Sequence, residues 1–262
     1  MFYIGERYIM NDLFDIRKKR AIVTGGTGDL GRAIGEGFLE AGAAVVLVDL
    51  SEKVEKIAAD YCSQGYEAYA VVGNLETYEE RKRIFSDSLE MLGGTVDILV
   101  NSAGIQLLHD AVDYPADAFE QILNINVKAL FHMCQLAGAK MIVQGHGKII
   151  NLASAASFFG AIRMPAYTSS KGAVMQLTKG LGNEWGPYGV NVNALAPGHM
   201  DTKINTAVVD DPVRSQEVLK RIPLNRFGKP EEVKGPAIFL ASSASNYLSG
   251  AVIPVDGGYL VR

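Results

Sequence analysis

Short apolar runs alternate with longer stretches of helical periodicity along almost the whole chain. Ala21–Val23, Ala44–Val48, Ala68–Val72, Ile98–Val100, Lys148–Leu152, Val190–Leu195 and Ala251–Val255 are mostly aliphatic and lack the in/out alternation of a half-exposed strand. That is the signature of strands buried on both faces. Between them, Arg32–Glu40, Glu52–Gln64, Thr77–Leu92, Phe119–Gln144, Tyr167–Glu184 and Glu231–Ala241 repeat apolar positions every three to four residues, as helices covering a sheet do. The alternation of β and α elements predicts one α/β domain, a doubly wound, seven-stranded parallel sheet with helices on both faces.

Open parallel sheets bind ligands beyond the carboxyl ends of their strands, so the residues there are the candidates for chemistry. After the first strand, Thr24-Gly25-Gly26-Thr27-Gly28-Asp29-Leu30-Gly31 opens a helix. Glycines let a backbone turn tightly and approach a pyrophosphate, whose charge the helix N-terminus then meets. Asp29 in this turn is expected to cap the helix. Asp49 ends the second strand, where a carboxylate accepts the hydroxyls of an adenosine ribose and repels a 2′-phosphate. Neither Gly26 nor Leu50 supplies a compensating cation, so NAD is expected over NADP; the competing reading makes Asp49 a cap on the next helix. The fifth apolar run continues to Ser154, and Tyr167 and Lys171 follow, four apart at the start of a helical pattern. At that spacing an ammonium lies beside a phenol and favours its phenolate, which makes a general base.

Ser154, Tyr167, Lys171, the glycine turn and Asn101-Ser102-Ala103-Gly104 at the end of the fourth strand together resemble the short-chain dehydrogenase/reductase family, from about Asp12 to the last residue. The resemblance implies a Rossmann-like fold and a catalytic set of Asn126, Ser154, Tyr167 and Lys171. It implies dinucleotide contacts at Gly25, Thr27, Gly28, Asp29, Leu30, Gly31, Asp49, Asn74, Leu75, Asn101, Ala103, Gly104, Tyr167 and Lys171, with Pro197, Gly198 and Thr202 near the nicotinamide. It further implies that Asn126 holds Lys171 through water, that about 199–226 folds over substrate as a lid, and that the protein is a homotetramer with Val252, Ile253, Tyr259 and Leu260 as apolar surface. Two departures stand out: Asp29 occupies a usual glycine position, and Asn74 replaces a usual aspartate at the adenine.

The stretches Phe159–Tyr167, Asn183-Glu184-Trp185, Arg221-Ile222-Pro223, Phe239–Ser245 and Val255–Arg262 are similar to the sugar-acid dehydrogenases acting on 2-deoxy-D-gluconate or 2-dehydro-3-deoxy-D-gluconate. That likeness implies a secondary alcohol or ketone of a sugar acid as substrate, held by Ser154 and Tyr167. Leu107 and Leu108 stand where that group has two arginines. Arg163 and Arg226 remain as candidates to pair with a carboxylate. Gluconate 5-dehydrogenase or polyol dehydrogenase activity is the alternative; a ketoacyl carrier-protein reductase would favour NADPH and a basic docking surface, and a non-catalytic dinucleotide sensor would lose the catalytic set.

Composition narrows the picture further. The chain has 262 residues and a formal charge of −4, with a pI near 5.6, so no broad basic footprint for nucleic acid or anionic membrane is expected. Cys62 and Cys134 are its two cysteines, without disulfide or metal-ligand spacing, and no metal is expected. No apolar run reaches the length of a membrane span, and the N-terminus lacks a signal peptide's apolar stretch. A cytoplasmic protein is expected, with residues 1–11 as an N-terminal extension and 12–262 as the catalytic domain.

Overall fold

The computed structural model describes residues 10–206 and 210–262; most of the expected N-terminal extension, residues 1–9, lies outside the described residues. Met10 begins a short helix, α1 (Met10–Leu13), which spans the expected boundary at residue 11. Seven strands form one parallel sheet: β1 (Arg20–Thr24), β2 (Ala44–Asp49), β3 (Ala68–Val72), β4 (Ile98–Asn101), β5 (Gly147–Leu152), β6 (Val190–Pro197) and β7 (Val252–Val255), in the order β3-β2-β1-β4-β5-β6-β7. The chain runs outward through β1, β2 and β3, then crosses back to place β4 beside β1. That reversal opens a crevice beyond the carboxyl ends of β1 and β4.

Burial on both faces explains the unbroken apolar runs. Ala21, Val23, Val45, Leu47, Ile98 and Val100 join one core with α2 (Asp29–Glu40), α3 (Lys53–Ser63) and α9 (Lys234–Ala241). Their strand neighbours Ile22, Val46, Val48 and Leu99 join a second core with α4 (Tyr78–Met91), α6 (Leu130–Gln144) and α7 (Pro165–Trp185). Successive side chains of a strand point to opposite faces, so a sheet covered twice needs apolar residues at both parities.

The helix termini follow local chemistry. Thr77 accepts from the Glu80 N–H to cap α4, α6 ends at Gly145 in the left-handed region with φ 76°, and Pro165 occupies the first turn of α7, where its missing N–H costs nothing. Asp211 caps α8 (Pro212–Leu219) through the Val213 and Arg214 N–H groups. Two expected helices differ. The Phe119–Gln144 stretch is α5 (Ala116–Leu123), a π-helical turn over Asn124–Ala129, then α6. The Glu231–Ala241 stretch opens as a 3₁₀ turn over Pro230–Val233 before α9. A π segment of six residues, Asn124–Ala129, is too short for apolar periodicity to separate it from an α turn.

Candidate active site

The glycine turn between β1 and α2 is built for close backbone approach. Gly25 has φ +74°, and a Cβ there would lie 2.9 Å from the Ala103 nitrogen; a Cβ on Gly31 would overlap the Gly25 carbonyl oxygen. The Thr24 hydroxyl accepts from the Ser102 and Ala103 N–H groups at 3.1 and 3.2 Å, which fixes the turn after β4 against the turn after β1. Gly28 precedes α2 in extended conformation and no side chain caps the helix. The donors at the start of α2 are therefore left to a ligand, and a pyrophosphate fits them by charge and by hydrogen bonding. One carboxylate oxygen of Asp49 accepts from the Thr27 N–H at 2.9 Å and the other from the Ser51 N–H at 3.0 Å. Because α3 begins at Lys53 after Glu52, Asp49 is not its cap; the carboxylate is held at the rim of the glycine turn.

Asp29 corrects the sequence reading. It is the first residue of α2 rather than its cap, and its carboxylate accepts from the Lys203 N–H at 2.8 Å. That hydrogen bond links the first turn of α2 to the segment after β6. Asn101 needs correction too. Its side chain is 3% exposed and donates to Asn151 Oδ1 at 3.0 Å and to Cys134 Sγ, so it braces β4 against β5 and faces the core. Asn74 folds onto Glu76, accepting from its N–H and donating to its carboxylate, and the Leu75 carbonyl accepts from Arg81.

Beyond β5, Ser154 is held by a reciprocal turn: its hydroxyl accepts from the Ala156 N–H, and the Ser157 hydroxyl accepts from its N–H. Ser157 also donates to the Lys171 carbonyl, which ties this turn to α7. Tyr167 and Lys171 lie one turn apart on α7, with the ammonium 5.7 Å from the Tyr167 ring centroid. Protein around the phenol hydroxyl raises the Tyr167 pKa, and a hydrogen bond with Ser154 draws it down again. Lys171 is 6% exposed and donates to the Leu152 carbonyl at 2.7 Å; burial pushes it down to about 8. Desolvation dominates the Tyr167 shift, and the hydrogen bond with Ser154 opposes it. Asn126 accepts from the Ile105 N–H and donates to the Ile105 carbonyl and Ser170 Oγ. Placed in the π turn, it pins the loop after Gly104 to α7.

The rim differs from expectation. Arg163 adopts φ 64° and its Nε lies 3.0 Å from the Asp110 carboxylate. Arg226 grips both oxygens of Glu232, at 2.7 and 2.6 Å, and together with the Lys229 N–H this holds the Glu232 carboxyl at about 2. Both arginines proposed for a substrate carboxylate already have one in the protein. Pro197 and Gly198 close β6, where a Cβ on Gly198 would lie 2.7 Å from Asp256 Cβ. Thr202 follows, its hydroxyl 3.4 Å from the Met200 carbonyl.

Several positioning residues escaped the sequence reading. Asn151, fully buried, links Asn101 to Thr178 on α7, and Thr178 donates to the Val174 carbonyl. A lone polar residue inside the apolar run Ile149–Leu152 was the available signal. Arg81, 2% exposed, contacts the Leu75 and Glu76 carbonyls, Asn124 and His132, joining the turn after β3 to the π turn; nothing in its helical spacing marks that role. Cys134 is buried and pushed up to about 12 by desolvation, consistent with an inert structural thiol. Among the described residues no cluster of three or more His, Cys, Asp or Glu is placed to hold a metal.

A family model described as enoyl-(acyl carrier protein) reductase, of the short-chain dehydrogenase/reductase type, matches residues 27–260. The chain belongs to the short-chain dehydrogenase/reductase family. It is 42% identical over 256 residues to the 2-dehydro-3-deoxy-D-gluconate 5-dehydrogenase of Dickeya dadantii, covering 95% of this chain and 98% of the relative. It is 37% identical over 249 residues to the NAD-dependent glycerol dehydrogenase of Listeria innocua, covering 95% and 96%. Among solved structures, a gluconate 5-dehydrogenase from Burkholderia cenocepacia in complex with NADP and tartrate superposes with a TM-score of 0.93 at 36% identity, covering 97% of this chain and all of that one. The fold, the family and oxidoreductase action on a CH–OH group, as read from the residues, therefore stand.

Proposed function

We propose that this short-chain dehydrogenase/reductase interconverts a secondary alcohol and a ketone of a sugar acid such as 2-deoxy-D-gluconate or 2-dehydro-3-deoxy-D-gluconate, with NAD as its dinucleotide. The observation that carries the chemistry is the convergence of Ser154, Tyr167 and Lys171 beyond β5, next to the Pro197-Gly198 turn of β6. The similarity to the Dickeya and Burkholderia proteins supports the sugar-acid class.

Gly25, Thr27, Gly28, Leu30 and Gly31 would hold the pyrophosphate, Asp49 the adenosine ribose, and Ala103 and Gly104 the floor under it. Bound nicotinamide supplies the hydride acceptor or donor. In oxidation, Tyr167 Oη takes the alcohol proton while Ser154 Oγ holds the same oxygen; in reduction, Tyr167 Oη returns that proton to the ketone oxygen. Burial favours the protonated phenol, the form that donates in reduction; in oxidation the phenolate is the form that accepts. Lys171 Nζ, which donates to the Leu152 carbonyl, would hold the nicotinamide ribose. Residues about 199–226 form the substrate lid, residues 12–262 the catalytic domain, and the protein works in the cytoplasm as a homotetramer. The half-buried Val252 and Ile253 on the edge strand β7 favour such an interface; Tyr259, 4% exposed within its own chain, offers no surface to it.

NAD is favoured because a carboxylate at the end of β2 repels a 2′-phosphate, although the Burkholderia protein was crystallised with NADP. A polyol substrate is the second reading, supported by Leu107 and Leu108 and by the glycerol dehydrogenase relative. Steady-state kinetics with NAD and NADP against sugar acids, polyols and ketoacyl esters test the assignment. The expected outcome is at least about a tenfold advantage in kcat/KM for a sugar acid with NAD. A larger kcat/KM for a polyol or a ketoacyl ester would overturn it.

A further inference from the structure

Four residues from separate parts of the chain meet beyond the carboxyl ends of β5, β6 and β7. The Tyr259 ring, in the turn after β7, packs against the Phe159 ring at 5.5 Å and the His199 ring at 4.9 Å. The Arg221 guanidinium lies 4.2 Å from the Tyr259 ring centroid and 5.8 Å from that of Phe159. Phe159 is five residues after Ser154, and His199 directly follows Pro197-Gly198. The cluster therefore stands at the carboxyl ends of β5, β6 and β7, the side of the sheet that carries the catalytic groups.

The charges differ from those at the neighbouring arginines. Arg163 is paired with Asp110, and Arg226 is locked in a two-point pair with Glu232. Among the described residues, Arg221 has no ion pair and its side chain makes no hydrogen bond. Stacking leaves a guanidinium's edge donors unused, because contact with the ring is through its face and the N–H groups point outward in its plane. His199 does not compete for an anion as a cation, since burial and the nearby Arg221 charge hold its pKa below the ordinary value. Asp256 is engaged with its own turn, its two oxygens accepting from the Gly258 and Leu260 N–H groups at 2.9 Å.

The backbone holds Arg221 in place. Next to it, Ile222 is 2% exposed, the Leu224 N–H donates to the Gly257 carbonyl at 3.1 Å, and Gly257 and Gly258 both have positive φ. A Cβ on Gly257 would lie 2.8 Å from Ile222, and one on Gly258 would lie 2.8 Å from Pro223, so the end of the lid is seated on the turn that carries Tyr259.

We infer that Arg221, laid on Tyr259 beside His199, binds the carboxylate of the sugar-acid substrate and sets the preference for acids over neutral polyols. This rests on the sugar-acid reading above. It also accounts for recognition of an acid without cations at Leu107 and Leu108.

The test compares a sugar acid with its neutral amide, using full-length enzyme and NAD. Arg221→Gln is expected to raise KM for the acid at least about tenfold with kcat changed less than about threefold, the signature of lost binding shared by ground and transition states. Kinetics on the amide should stay within about twofold, and Arg221→Lys should recover part of the acid's KM through charge without the fork. Equal losses on acid and amide, or no loss on either, would overturn the inference. A second measurement needs no variant: phenylglyoxal modification of Arg221, followed by mass spectrometry, should be slowed by the acid and not by the amide, and equal rates would overturn it. If the unmodified enzyme shows no preference for the acid, the sugar-acid reading falls with the inference. A preference that survives in Arg221→Gln removes the inference alone.

Discussion

The candidate catalytic groups and the arginines at the rim occupy the same end of the sheet but are held by opposite means. Ser154, Lys171 and Asn126 are fixed by short hydrogen bonds to backbone and to buried side chains from three elements. Arg163 and Arg226 are about half exposed and are held by single carboxylates. Exposed ion pairs contribute little to stability and rearrange readily, whereas a buried polar group without its partner is costly. The difference teaches where change is tolerated: substrate preference can drift at the rim while the proton-transfer groups stay put.

The sharpest way to break this comparison is to remove the proton carrier. Tyr167→Phe is expected to lower turnover by about 10²–10⁴-fold while NAD affinity stays within a few-fold, because the ring and its packing remain. Binding calorimetry alongside steady-state kinetics checks it; residual turnover above about one percent would show that another group carries the proton.

The next effect is structural. Asn151 accepts from Asn101 and donates to Thr178, all three buried. Asn151→Ala would leave both neighbours short of a partner, at a cost of about 2–4 kcal/mol. Thermal unfolding should show Tm lower by at least about 4 °C. A change under 1 °C would mean that the bridge across β4, β5 and α7 is dispensable and that helix packing alone aligns Tyr167.

How much of this was legible beforehand depends on the physics involved. The sheet was, because burial on both faces demands apolar residues at both parities, and the seven apolar runs fall on the seven strands, the last beginning one residue early at Ala251. The meeting of Ser154, Tyr167 and Lys171 was, because a strand end and a four-residue spacing on a helix fix positions through backbone geometry. The destinations of long side chains were not. Asp29 turning to the Lys203 N–H, Arg226 to Glu232 and Asn101 to Asn151 each depend on a partner brought near by the fold, and sequence spacing carries no record of it. The Tyr167 pKa belongs to the same class, since its rise comes from protein packed around the hydroxyl.

The cofactor end offers a smaller perturbation. Asp49→Ala removes the carboxylate held by the Thr27 and Ser51 N–H groups. The enzyme is expected to prefer NAD by at least about tenfold in kcat/KM, about 1.4 kcal/mol, and the variant should shrink that ratio with maximal rate changed far less. An unaltered ratio would confine Asp49 to bracing the glycine turn.

The smallest effect tests whether the proposed lid segment is tied to the glycine turn. The Asp29 carboxylate accepts from the Lys203 N–H across 174 residues of sequence, the single described hydrogen bond between α2 and the segment after Thr202. A bond at this partly exposed site is worth about 0.5–1.5 kcal/mol, so its loss should be felt as mobility before it is felt as stability. Asp29→Ala is expected to speed amide hydrogen exchange at Lys203 several-fold and to raise the substrate KM about two- to threefold, because the lid then orders only on binding. Asp29→Asn keeps an acceptor oxygen while removing the charge, and should retain most of the protection at Lys203. The same variant should bind NAD slightly more tightly, since a carboxylate at the start of α2 opposes a pyrophosphate there. Equal exchange in the unmodified protein and Asp29→Ala would show that Asp29 does not tether the lid, and tighter NAD binding by Asp29→Asn would then leave its charge acting on the cofactor alone.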